Sequence, residues 1–325
     1  MMFFSKPPIQ FRIGICLLLF FGVRLALADT AQANALLLQG RVDEAATNLH
    51  QILAEQPSDA IAHQLLCRTF YAQQIADSAI HECELAVADA PASSDNQMWL
   101  ARAYGYKAEH ANPIAALSLA IKVRTAFEKA VQLDQENVQA MSDLGQFYIA
   151  APSLIGGGLD KAQALANRMA PHFPSQSHRL LALIAEKKND EGLAEIEFRN
   201  AVTAGKTPEA WIDLGYFYQR HHQSARMIDA LQSAVDADRR KGPPLVDAAS
   251  ILTEAKTSPE LAENLLRTYL ASSGKTDDAP AFKVHVQLGG LLAHRGDTVG
   301  AHREYAAALA LASNYAPARK AMQGS

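Results

Sequence analysis

The chain has 325 residues, 49% of them hydrophobic and 20% charged, with a formal net charge of −4. This balance describes a folded protein with a full core and excludes wholesale disorder. Lys+Arg 30 against Asp+Glu 34 gives no global basic field, so no nucleic-acid partner is expected. Aromatics at 7% and abundant alanine favour closely packed helices over a β-sandwich.

The first segment reads as an address. Lys6 and Arg12 precede an apolar run from Ile13 to Val23, and Ala26-Leu27-Ala28 follows. A basic start, a short apolar core and a small-x-small exit make a secretory signal peptide over residues 1–28. The run is shorter than the roughly twenty residues a bilayer span needs. Cys16 precedes the end of the apolar core, so it does not fit a lipidation signal. Removing residues 1–28 leaves 27 basic and 34 acidic residues, a net of −7. No later stretch is long and apolar enough to span a membrane, so no stable membrane span is expected after cleavage. The expected location is the periplasm of a bacterium, with secretion second.

The rest of the chain repeats itself. Ala45, Leu49, Ile52 and Pro57 recur 34 residues later as Ala79, Cys83, Ala86 and Pro91. Leu66, Cys67 and Phe70 recur at the same interval as Leu100, Ala101 and Tyr104. Residues 211–218 read W-x-x-L-G-x-x-Y, and Leu144-Gly145 and Leu288-Gly289 repeat its core. Period and phrase together resemble the tetratricopeptide repeat over nearly all of residues 26–322. The expected fold is all-α, a right-handed α-solenoid of about eight helical hairpins. The units run approximately 26–59, 60–93, 94–137, 138–174, 175–208, 208–241, 243–276 and 282–315. A closing helix follows at 316–322, with Arg319 and Lys320 suiting a solvent-facing cap.

The residues make physical sense of such a stack. Apolar positions three and four apart give each helix one buried stripe, which a single hairpin cannot bury alone. Small residues inside the first helices (Ala101, Gly145, Gly215, Gly289) let paired backbones approach. Two departures break the period. About ten extra residues near 107–118 predict a longer second helix opening at Pro113. About five more, in Ala150–Gly158, predict an irregular turn. Each is either tolerated loop variation or a local contact site.

No constellation for catalysis is present. Gly205-Lys206-Thr207 and Gly274-Lys275-Thr276 lack the earlier glycine of a phosphate loop, having Asn200 and Tyr269 there. Gly156-Gly157-Gly158 with Lys161 offers an anion a helix start, although three glycines also simply turn a chain. None of the 11 histidines stands in H-E-x-x-H, and His81-Glu82 lacks a second histidine one turn on. No metal or cofactor is implied, and the chain reads as a non-enzyme.

Cys67 and Cys83 lie at similar heights on the two arms of the second hairpin. They are either a disulfide clip or two reduced core cysteines.

In proteins of the resembling family the first helices line a concave groove for peptides or extended partner segments. Projection onto that face nominates Gln64, Arg68, Tyr71, Met98 and Arg102 in the second and third units. Tyr106, Gln146, Arg179, Tyr216 and Gln219 continue it. Arginines and aromatics suit a carboxylate or acidic peptide, unless the face is simply solvated. The paired Lys and Asn of chaperone-tail-binding members are absent. Gln64 with Arg68 and Met98 with Arg102 stand there, so chaperone tails are not implied. The expected role is an exported scaffold or adaptor for a protein or peptide partner. The alternatives are a docking subunit of an envelope assembly or polysaccharide-export machine and, least favoured, an enzyme using the two irregular insertions.

Overall fold

The structure is a computed structural model and describes residues 30–324. The expected signal peptide, residues 1–28 with Cys16, lies outside the described residues. Every regular element among the described residues is helical.

The helices pair in chain order. Unit one comprises α1 (30–38) and α2 (Val42–Glu55), and unit two α3 (Ala60–Ala72) and α4 (Ala76–Asp89). Unit three comprises α5 (Ser94–Glu109) and α6 (Pro113–Leu133), and unit four α7 (Val138–Ala150) and α8 (Leu159–Met169). Unit five is α9 (Pro174–Lys187) with α10 (Glu191–Gly205), and unit six α11 (Pro208–Arg220) with α12 (Ser224–Ala237). Unit seven is α13 (Pro243–Glu254) with α14 (Pro259–Ala271), unit eight α15 (Ala281–His294) with α16 (Thr298–Leu311). α17 (Ala316–Gly324) closes the series.

One local device turns most hairpins. In unit two, Gln74 takes a positive φ of 66° and Ile75 N–H reaches back to the Phe70 carbonyl at 2.9 Å. Asn189 and His222 turn units five and six in the same way, with Asp190 N–H to Ala185 O and Gln223 N–H to Tyr218 O. This six-residue closure satisfies carbonyls that the ending helix leaves unpaired. Helix starts are capped by side chains: Asp59 accepts from Ile61 and Ala62 N–H, Ser93 from Asn96 and Asn137 from Ala140.

The two insertions lie where the turn device is missing. α6 is 21 residues long with Pro113 in its first turn and Asn112 capping Ala115. Its extended start carries Ile114, Leu117 and Ile121 in the open. The unit-four insertion forms a 3-10 turn over Ser153–Ile155, ended by Gly156 in the left-handed region. Lys161 donates to the Gly156 carbonyl at 2.9 Å and lies over the Tyr148 ring, so the glycine turn already engages its cation.

The core is a continuous column of three clusters. One spans units five to eight around Phe198, Phe217 and Tyr269, and a second spans units two to five around Trp99, Phe127 and Met141. The third joins the two ends of the stack. Leu37, Leu49 and Leu66 share it with Phe282 and Ala308, and with Tyr315 and Ala318 at the start of α17. Ser313 N–H donates to the Asp43 carboxylate at 2.7 Å. Gly40 lies so near unit eight that a Cβ there would stand 2.7 Å from the Ala281 nitrogen. The seam is thus made by the segment just before α17 and by the start of α15, while α17 packs on α15 and α16 with Arg319 and Lys320 exposed.

Candidate partner-binding groove

First helices touch along the stack, α3 on α5, α7 on α9 and α11 on α13, whereas no comparable contact joins the second helices of neighbouring units among the described residues. The first helices thus form the inner wall, and their polar side chains meet there. Arg102 on α5 pairs with Asp143 on α7 at 2.7 Å. Arg179 on α9 pairs with Asp213 on α11 at 2.9 Å, and Glu186 with Arg220 at 2.8 Å. Gln287 on α15 donates to Ser250 on α13 at 2.9 Å. Each of these ties one unit to the next.

Arg68 departs from that rule. Where unit four places Asp143 before its Leu-Gly pair, unit three places Trp99 before Leu100-Ala101. Arg68 lies over the Trp99 ring at 5.2 Å, and Arg102 lies over it at 4.7 Å. Tyr71 meets Trp99 edge-on at 5.7 Å and Tyr106 at 6.0 Å. Arg68 finds its carboxylate on Asp277, at 2.8 Å, in the segment between α14 and α15. The neighbouring Asp278 lines a cavity of about 540 Å³ together with Arg102, Asp143, Gln146, Arg179 and Asp213.

The segment carrying these two acids is firmly held. The Tyr269 hydroxyl donates to the Ala279 carbonyl at 2.6 Å and accepts from Thr276 N–H at 3.1 Å. Lys275 donates to the carbonyls of Leu270 and Ser272. Gly274 passes so close to Arg240 that a Cβ would meet its carbonyl oxygen.

The wall beyond Arg179 is rich in acids. Burial raises the Asp213 carboxyl despite Arg179 beside it. Burial, with the charges of Asp213, Asp278 and Glu209, pushes Asp247 up to about 6. The Tyr216 hydroxyl is pushed up to about 12, by burial and then by Asp247. Burial also raises Tyr71.

The nominated residues therefore divide. Arg68, Tyr71 and Arg102 gather around Trp99, Tyr106 meets Tyr71, and Gln146 and Arg179 share the cavity with Arg102. Gln64 is half-buried one turn before Arg68; Tyr216 and Gln219 are half-buried on α11. Met98 is a correction. It is 2% exposed and part of the core, so it offers the groove nothing, and its neighbour Trp99 touches the arginines instead. Sequence reasoning missed Trp99, Asp247 and the Asp277-Asp278 pair. The only signal for the pair was its place beside Gly274-Lys275-Thr276, at the longest non-helical junction after unit four.

Cys67 and Cys83 are joined as a disulfide, with Cα atoms 5.1 Å apart. His63 on α3 binds Glu82 on α4 at 2.6 Å, and His178–Glu197 and His285–Glu304 repeat this pairing within units five and eight. These histidines brace hairpins, and among the described residues no three His, Cys, Asp or Glu side chains converge as a metal site.

The chain overlays yeast Tom70 with a TM-score of 0.51 at 16% identity, covering 86% of this chain and 58% of that one. Period, phrase and paired helices agree with that overlap. The fold is a tetratricopeptide-repeat solenoid. A thermophilic tetratricopeptide-repeat protein of Thermus thermophilus is similar at 17% identity, covering 75% of this chain and 99% of that one, TM-score 0.42. A tetratricopeptide-repeat protein of Parabacteroides merdae is similar at 12%, covering 76% and 93%, TM-score 0.46. No family model matches the sequence, and no curated protein does. No helix of this solenoid, among the described residues, is long and apolar enough to cross a membrane.

Proposed function

We propose that this tetratricopeptide-repeat solenoid is an exported, non-catalytic scaffold that holds a protein or peptide partner against the inner wall of its first helices. The observation that carries the reading is the gathering of Arg68, Arg102 and Tyr71 around Trp99, with Tyr106 against Tyr71, next to the cavity that holds Arg179. Guanidinium forks over aromatic faces, partly shielded from water, make strong anchors for a partner chain. Export is supported by the layout of residues 1–28 and by the Cys67–Cys83 bridge, which suits an oxidising compartment. The periplasm is the preferred location.

Crosslinking capture from cell envelopes tests this. Wild type is compared with Arg68→Glu plus Arg102→Glu, after circular dichroism shows both remain helical. A partner captured by wild type and lost by the folded variant supports the reading; unchanged capture removes the groove from it.

A second reading, a docking subunit of an envelope assembly, is favoured by a different feature. Ile114 (85% exposed), Leu117 and Ile121 on α6 and Leu154 (86% exposed) in the next unit leave apolar side chains open on the two insertions. Replacing Ile114, Leu117 and Leu154 by Ser would then release the partner where the groove variant does not.

A further inference from the structure

Three features of the inner wall converge on one segment. Arg68 is the groove arginine whose acid comes from outside the neighbouring first helix, because Trp99 fills that place in unit three. The acid that serves it, Asp277, is carried in from the junction of units seven and eight. Its side chain is 9% exposed and the Arg68 side chain 17%, so the pair is largely withdrawn from water.

We infer that Arg68, Trp99 and Arg102 form a carboxylate-accepting subsite whose resident occupant is the chain's own strap, residues 275–279, and that an acidic partner segment binds by displacing it. The inference rests on the groove reading above and names the chemistry of its partner.

The chemistry is set by what already sits there. Asp277 presents a side-chain carboxylate to Arg68 Nε at 2.8 Å while the guanidinium carbon lies over the indole at 5.2 Å. An aspartate or glutamate of a partner meets the same donors in the same geometry. A tethered occupant acts at a high effective concentration, so it weakens any competing ligand until it is released. Release is local: the strap is held by the Tyr269 hydroxyl and by Lys275, and neither touches the arginines.

The test uses fluorescein-labelled hexa-aspartate with an amidated C-terminus, followed by anisotropy on the purified chain. Asp277→Ala plus Asp278→Ala is expected to bind the probe at least tenfold more tightly than wild type. Tyr269→Phe, which frees the strap without changing charge, is expected to tighten binding too. Adding Arg68→Ala to the strap variant should abolish the gain. If the gain survives Arg68→Ala, it is general charge relief and the subsite is overturned. If wild type and strap variant bind equally and both lose the probe with Arg68→Glu plus Arg102→Glu, the groove stands and the displaceable strap falls. If no form binds, the acidic partner falls, while envelope capture still judges the groove. Wild type alone gives a check free of variants: hexa-aspartate should speed tryptic cleavage after Lys275, and an unchanged rate counts against displacement.

Discussion

Arg68 and Asp277 stand 209 positions apart in the chain and 2.8 Å apart in space. Both side chains are largely buried, so losing one partner strands the other in a place poor in water. We expect Asp277→Asn or Arg68→Leu alone to cost about 1–3 kcal/mol, and the double variant less than the sum. A double-mutant cycle in urea measures this, and strict additivity would mean that the pair does not couple.

The disulfide closes a short loop, with a separation of 16 residues. Cross-linking a loop of that length restricts the unfolded chain and is worth about 3 kcal/mol in the loop-entropy description. Dithiothreitol, or Cys67→Ser plus Cys83→Ser, should lower the guanidinium midpoint accordingly. Alkylation of the unfolded protein in guanidinium without reductant should label neither Cys67 nor Cys83, both buried in the folded state; labelling of both would show that the cysteines are free.

Two adjacent glycines on α15 should respond with opposite sign. A Cβ at Gly289 would lie 2.4 Å from the Tyr305 ring, whereas one at Gly290 meets nothing within 4 Å. Gly289→Ala should destabilise by about 1–3 kcal/mol through overpacking. Gly290→Ala should stabilise by about 0.5–1 kcal/mol, because alanine loses less backbone freedom in a helix. Thermal unfolding of the two single variants decides it.

Asp247 gives a pH signature. Its folded carboxyl is raised to about 6, from 3.8, so the folded protein holds the proton more tightly than the unfolded chain. Its stabilising contribution is full below the unfolded value and is lost as pH rises through about 6. Asp247→Asn should therefore be more stable than wild type at pH 7.5, by at most about 3 kcal/mol, with the gap closing towards pH 4. A gap that does not change with pH would show that Asp247 is not the titrating group.

The repeat was legible because each unit solves the same packing problem with nearby residues. Leu214-Gly215 with Phe217 and Tyr218 records, within eight residues, which face is buried and where backbones come close. The nearness of Cys67 to Cys83 was legible for the same reason, both lying on one hairpin, but whether they bond was left open by the sequence. Met98 was misplaced because stepping 34 residues from Gln64 carries position but not polarity. The thioether at that place turns into the core, and the indole beside it takes the contact with the arginines. Asp277 was invisible for a deeper reason. Its partner is set by how the whole stack curves, and no window of one repeat contains that curvature.

The junction of unit one with unit eight, through Gly40, Ala281, Asp43 and Ser313, changes what a break in the backbone does. In an open row of repeats, a nick leaves its two pieces joined by one interface, and the outermost hairpins fray first. Here no hairpin is outermost. Cleavage after Lys188, in the tight turn between α9 and α10, leaves fragments that still meet at the severed hairpin, at the seam between first and last units and across the Arg68–Asp277 pair. The molecule behaves as a hoop: one cut opens its covalent circuit, and several separate contacts must fail before it comes apart.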